Sequence, residues 1–156
     1  MTVDERSGRR QATDRLGLVL AKSGHIASVR IRKALAVTGL KPGHGHVLLW
    51  LSDSGPMSQQ ALIEALGVDP SVLVAILNDL ERDGIAVRRR DPADRRRHIV
   101  EMSERGAALV DEVDAALTAV EQELFVDLDD GEIDLLRRLL ARVRANADED
   151  ACAGEA

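Results

Sequence analysis

The chain has 156 residues and a formal net charge of -6, a size that suits one domain with a substantial core. It contains no apolar run of about 20 residues, and its polar start lacks the apolar centre of a signal peptide, so the expected location is cytoplasmic. One cysteine (Cys152) excludes an internal disulfide and a thiolate zinc finger, and one tryptophan, one phenylalanine and no tyrosine leave no platform for stacking single-stranded bases.

In chain order, residues 1–13 are polar or small and are expected to be disordered. A long helix is predicted over 14–37, with Leu16, Val19, Leu20, Ile26, Ala27, Ile31, Ala34 and Leu35 on one or two faces. Gly39 ends it, and Pro42 opens a second helix that passes through Trp50. Ser58 caps a short helix over 59–66, where Ala61, Leu62, Ala65 and Leu66 share a buried face. After a turn at Gly67, Asp69 and Pro70 start another helix. The Asp69 carboxylate is expected to accept orphan amide hydrogens, and Pro70 has no amide to leave unpaired. Within it Leu73, Ile76, Leu77 and Leu80 repeat as i, i+3, i+4, i+7 and face inward. Ser71, Val72, Val74, Ala75, Asn78 and Arg82 are left outward or at the margin.

Past Gly84 the period falls to two. Ile85 and Val87 alternate with Ala86 and Arg88, and Ile99 alternates with His98 and Val100, which predicts a hairpin. Its tip is Asp91-Pro92-Ala93-Asp94, flanked by Arg88, Arg89 and Arg90 on one side and Arg95, Arg96 and Arg97 on the other. Ser103 caps a third long helix in which Leu109, Val113, Ala116, Leu117, Val120 and Leu124 repeat. A fourth follows Asp129 or Asp130, with Ile133, Leu136, Leu140 and Val143 on one stripe and Leu135 and Leu139 on a second. The acidic tail 148–156 is expected to be disordered.

Two helices about a glycine turn, then two strands about a charged tip, make a winged helix-turn-helix, whose second helix can enter a major groove. The fold class is therefore mainly α with a small β-hairpin wing. One domain spans 14–147, its DNA-binding part lies at about 55–102, and its dimerisation helices lie at about 14–38 and 103–147. Charge follows the same division. Seven arginines and three aspartates between Arg82 and His98 leave +4, whereas fifteen acids and five arginines from Glu101 to Asp150 leave -10. Basic charge confined to the hairpin beside the reading helix is the footprint of phosphate contacts. Two apolar stripes on the last helix are more than one small domain covers, which points to a second copy as partner.

The run LERDGIAVRRRDPADRRRHIVEMSERG, preceded by helix, glycine turn and helix, resembles the MarR family of bacterial transcriptional regulators over roughly residues 14–147. Leu80, Glu81 and Gly84, the Asp-x-Arg of Asp94 to Arg96, and Met102-Ser103-Glu104-Arg105-Gly106 carry that resemblance. It implies a homodimeric regulator of double-stranded DNA, more often a repressor, bound to a pseudo-palindromic operator and released by a small-molecule effector. It further implies that Arg96 enters the minor groove, that Asp94 holds the wing tip, and that the effector pocket lies near His25, Val29, His46, Trp50 and Leu109. Where the family carries threonine, serine and arginine on the outward side of the reading helix, this chain has Ser71, Val72, Val74 and Ala75. Apolar groups there touch thymine methyls but form no hydrogen bond, so base readout falls to Ser71 and to Asn78, which can pair with adenine. One or other valine packing on a neighbouring helix is the competing reading.

Alternatives remain open at this stage. The same dimer could offer Val72, Val74 and Ala75 to a protein instead of DNA, or bind DNA constitutively without a ligand. His25, His44 and His46 could converge on a metal with a carboxylate, or His44 and His46 could simply be satisfied at the start of the second helix. No cofactor and no metal is expected. No Gly-rich phosphate loop, nucleophile elbow or His-Glu-x-x-His pattern occurs, so no enzyme is expected. Cys152 sits among acids that would raise its pKa and blunt thiol sensing.

Overall fold

The computed structural model describes residues 11–153, with side chains as far as Asn146. A 3-10 turn at Ala12–Asp14 leads into α1 (Leu16–Leu35), a second 3-10 turn at Ala36–Thr38, and α2 (Pro42–Ser54). Then come β1 (Met57–Ser58), α3 (Gln59–Leu66), α4 (Pro70–Arg82), β2 (Ala86–Arg90), β3 (His98–Met102), α5 (Glu104–Leu124) and α6 (Asp130–Ala153). The chain forms two compact units, one through Val120 and one from Glu121 onward. Most of residues 1–13, the candidate N-terminal tail, and 154–156 at the other end lie outside the described residues.

In the first unit the core gathers one stripe from each helix around the sheet. Leu35, Val47, Leu48, Leu62, Leu73, Leu77, Leu80, Val100 and Val113 are sealed from solvent. Each such side chain stabilises the fold by roughly 1.5–3 kcal/mol through burial. Leu73, Leu77 and Leu80 are the inward positions expected of the second short helix, and Ile76 packs at their edge. On α1 the expected apolar faces are mostly uncovered: Leu35 is buried, while Leu16, Val19, Leu20, Ile26 and Val29 are exposed.

Local chemistry explains where the elements begin and end. Ser58 Oγ accepts the Ala61 amide at 3.0 Å, which starts α3, and Gly67 at φ 62° ends it. At α4 the expected cap is half right. Asp69 has the extended backbone of an N-cap and its carbonyl accepts from Val72 and Leu73, but its carboxylate makes no capping bond. Proline at the first helical position has no amide, so one orphan donor is absent there in any case. The far end of α4 closes with paired bonds, Gly84 N to Glu81 O at 3.0 Å and Ile85 N to Leu80 O at 2.8 Å, with Gly84 at φ 69°. This is a Schellman motif, and it places Ile85 as the apolar residue that follows the glycine.

That motif shifts the strand relative to the sequence expectation. Ile85 is buried but belongs to the helix closure, so it does not set the alternation. Ala86 is buried, Val87 is 51% exposed, and the inward faces of the ladder are Ala86 opposite Met102 and Arg88 opposite Val100. Ile99 pairs with Arg89 on the other face. The hairpin also has a third strand that the sequence pattern missed, since β1 pairs antiparallel with β3 and the order is β1-β3-β2. Two residues are too few to show a period.

In the second unit, Asp129 and Glu132 cap α6 reciprocally: Glu132 N donates to Asp129 Oδ1 and Asp129 N to Glu132 Oε2, both at 2.9 Å. The helix runs to Ala153, past the boundary where a disordered tail was expected; the side chain of Cys152 lies outside the described residues. Leu135, Leu139, Leu140 and Val143 are exposed along it. Among the described residues no single helix is long and apolar enough to cross a membrane.

Candidate nucleic-acid interface

Burial of Leu73, Leu77 and Leu80 fixes the roll of α4 and turns Ser71, Val72, Val74, Ala75 and Asn78 to solvent. Neither valine packs on a neighbour as core: Val72 is 45% and Val74 36% exposed. Residues 71, 74, 75 and 78 fall on one outward stripe by helical spacing.

Two polar links hold this helix from opposite sides. On the side of α2, His44 is buried; its Nδ1 accepts the Lys41 amide at 3.3 Å and its Nε2 lies 3.2 Å from Asp79 Oδ2. Asp79 Oδ1 in turn accepts from Arg82 at 2.9 Å, and that bond, aided by His44, draws the Asp79 carboxyl below its ordinary range against the opposing cost of burial. On the side of the wing, Arg88 Nη2 donates to Glu81 Oε2 and to Asn78 Oδ1, each at 2.6 Å, while the Arg88 amide donates to Glu81 Oε1 at 2.8 Å. The Arg88 guanidinium lowers the Glu81 pKa, and Glu81 raises that of Arg88 in return.

The six wing arginines therefore divide. Arg88 faces inward and is tied to α4. Arg89 pairs with Glu101 at 3.1 Å, and Arg97 lies 3.5 Å from Asp94. Among the described residues the side chains of Arg90, Arg95 and Arg96 make no ion pair and are exposed. Acidic side chains shape the tip: Asp94 Oδ1 accepts the Arg96 amide at 3.0 Å, Asp91 Oδ1 accepts the Ala93 amide at 2.9 Å, and Asp91 N donates to Arg97 O at 2.9 Å. Such short side-chain-to-backbone bonds rigidify a turn that otherwise carries only like charges. Between the wing and the start of α3 lies an open groove of about 610 Å³, bordered by Ser58, Gln59, Gln60, Arg96, Arg97 and His98 among others.

The candidate effector residues are less gathered. Trp50 Nε1 donates to His46 Nε2 at 3.3 Å, Trp50 and Leu109 flank the core, and His25 and Val29 are exposed on α1. The groove beside the wing is not lined by them. No group of three or more metal-ligating side chains occurs among the described residues, and His44 is satisfied at a helix start. Sequence reasoning missed Asp79, Glu81 and Glu101 as partners of the basic residues. For Glu81 a signal existed: an acid near a helix end, followed after a glycine by a strand whose inward residue is arginine.

Residues 38–97 match the model of the MarR family. A Thauera aromatica protein named as a transcriptional regulatory protein for the hcr operon is 32% identical over 124 residues, covering 78% of this chain and 75% of the relative. The HTH-type transcriptional repressor NicR of Pseudomonas putida is 35% identical over 101 residues, covering 65% and 63%. CouR from Rhodococcus jostii RHA1, solved with bound p-coumaroyl-CoA, superposes with a TM-score of 0.80 at 28% identity and covers 86% of this chain and 95% of its own.

Proposed function

Because the chain belongs to the MarR family of transcriptional regulators, we propose that it is a homodimeric repressor of duplex DNA. The outward stripe of α4 occupies a major groove, the wing lies along the adjoining minor groove, and a small-molecule effector releases the complex. One observation carries the DNA-binding reading. Three arginines that make no ion pair among the described residues, Arg90, Arg95 and Arg96, are exposed on a wing that Arg88 ties to α4, in a chain that is acidic overall. Free guanidinium groups supply phosphate and minor-groove contacts, and a narrow A·T-rich groove strengthens the latter.

Support for repression and for an effector comes from relatives, one named as a repressor and one holding p-coumaroyl-CoA. Dimerisation is supported by exposed apolar side chains on α1 and, separately, on α6, since a monomer seldom leaves such rows in water. A two-fold dimer places two reading helices about one turn of DNA apart and selects a pseudo-palindrome. The effector is assigned to the neighbourhood of His25, Val29, His46, Trp50 and Leu109.

Selection from a pool of duplexes with a randomised core, followed by footprinting at several salt concentrations, tests this reading. A short pseudo-palindrome, A·T-rich flanks and a steep salt slope are expected. Weak, sequence-blind binding would overturn it in favour of a protein partner for Val72, Val74 and Ala75. Titration with p-coumaroyl-CoA is the first probe of release, and unchanged operator affinity excludes that ligand as the effector.

A further inference from the structure

We propose that Arg88 is a positioning residue that determines how Asn78 reads a base. By occupying the Asn78 carbonyl with a charged donor it leaves the amide hydrogens as the stronger contact to DNA, so that Asn78 favours guanine over adenine. This rests on the DNA-binding reading above.

The orientation of the Asn78 amide is set by chemistry. A guanidinium has five N–H donors and no acceptor, so the atom 2.6 Å from Arg88 Nη2 must be the carbonyl oxygen. The two hydrogens on Nη2 are both used, one on Asn78 Oδ1 and one on Glu81 Oε2. Glu81 also grips the Arg88 backbone through its other oxygen, and Arg88 stands at an inward strand position opposite Val100. The guanidinium is thus held at both ends of its stem, with its side chain only 22% exposed. Asn78 itself is exposed, one helical turn beyond Val74 and Ala75 on the outward stripe.

An unconstrained asparagine pairs with adenine by accepting from N6 and donating to N7, which requires its amide to be coplanar with the base. Here the plane is fixed by the wing, and the oxygen is polarised by a cation. The NH₂ group of this exposed side chain stays free to donate, while the carbonyl is already engaged. Guanine offers it two acceptors, N7 and O6, whereas the N6 amino group of adenine and the N4 amino group of cytosine present donors to a donor.

The test begins with the duplex selected by the full-length wild-type protein. Asn78→Ala identifies the base pair that Asn78 reads, as the position in each half-site where discrimination is lost. At that position wild type is expected to prefer guanine over adenine by about fivefold, and 7-deazaguanine there is expected to weaken wild-type binding by a similar factor. The paired replacement Glu81→Gln with Arg88→Met leaves no orphan charge and frees the asparagine carbonyl. It is expected to reverse the preference to adenine while leaving the rest of the selected site unchanged, a shift that mere loss of stability would not produce. Wild-type preference for adenine, indifference to 7-deazaguanine, or no position altered by Asn78→Ala would overturn the proposal. Failure to select any duplex would overturn the DNA-binding reading beneath it as well.

Discussion

His44 Nε2 lies 3.2 Å from Asp79 Oδ2 and joins the first turn of α2 to the third turn of α4. The histidine is buried and uses both ring nitrogens, one toward the Lys41 amide and one toward Asp79. An aspartate that would repel phosphate if it stood free is thereby paired with Arg82 and hydrogen-bonded by His44. The reading helix is braced next to Asn78, the last residue of its outward stripe.

Replacing His44 by alanine removes a buried side chain and one of the partners of Asp79. The expected loss is about 2 kcal/mol of unfolding free energy, measured by urea denaturation. Asp79→Ala is expected to lose less, because its carboxylate is partly solvated. Equal stability of His44→Ala and wild type would show that the brace contributes nothing.

The same region makes stability depend on acid. Glu81 and Asp79 both have folded-state pKa values below their ordinary ones, chiefly because of Arg88 and Arg82 respectively. Groups depressed in this way stabilise the fold at pH values above their unfolded pKa, about 4, and that contribution is lost as the pH falls through the lower folded value. Denaturation series at decreasing pH should show wild type losing stability more steeply below about pH 5 than the Glu81→Gln, Arg88→Met pair. Parallel curves would refute the assignment for Glu81.

Salt dependence separates the arginines of the wing. Arg96→Ala is expected to weaken duplex binding and reduce the slope of log K against log salt by about one ion per protomer. Arg89→Ala should change the slope less, since its guanidinium already neutralises Glu101 at 3.1 Å. Identical slopes for the two variants would remove the distinction between free and paired arginines.

Gly106 lies in the first turn of α5 and is buried. A Cβ at that position would collide with the Ile85 carbonyl oxygen and come within 2.6 Å of Met102 Cγ. Alanine in a helix is normally better than glycine by about 1 kcal/mol. Here Gly106→Ala is expected to destabilise by about 2 kcal/mol or more in thermal or urea unfolding, because the wing backbone would have to move. The neighbouring Ser103 hydroxyl, which bonds the Gly84 and Ile85 carbonyls at 2.7 and 2.9 Å and receives the Gly106 amide at 3.1 Å, binds the same junction. A neutral or stabilising Gly106→Ala would mean that the junction yields easily.

Much of this architecture was legible in the chain. The spacing of Leu73, Ile76, Leu77 and Leu80 announced both the helix and its buried side, because an apolar stripe at period 3.6 has one low-energy orientation against a core. Ser58, Gly39, Gly67 and Gly84 marked helix ends by local chemistry that needs no distant partner. The strand phase was not legible: Ile85 and Val87 look like alternate members of one face, but the helix closure takes Ile85 and leaves Val87 outside. Nor could β1 be seen, since its two residues become a strand only when β3 lies alongside.

For the interface, sequence by itself determined which residue types crowd one projection, and hence that a basic hairpin stands beside a reading helix. Composition and local periodicity carry that information, and neither depends on long-range contacts. Tertiary structure alone decided which of those arginines are free. Arg88, Arg89 and Arg97 are indistinguishable from Arg90, Arg95 and Arg96 along the chain, but the pleat turns Arg88 toward Glu81 and Asn78, and the register brings Glu101 within reach of Arg89. An ion pair is a relation in space between residues far apart in number. It exists only once the sheet has chosen its register and the helix its roll.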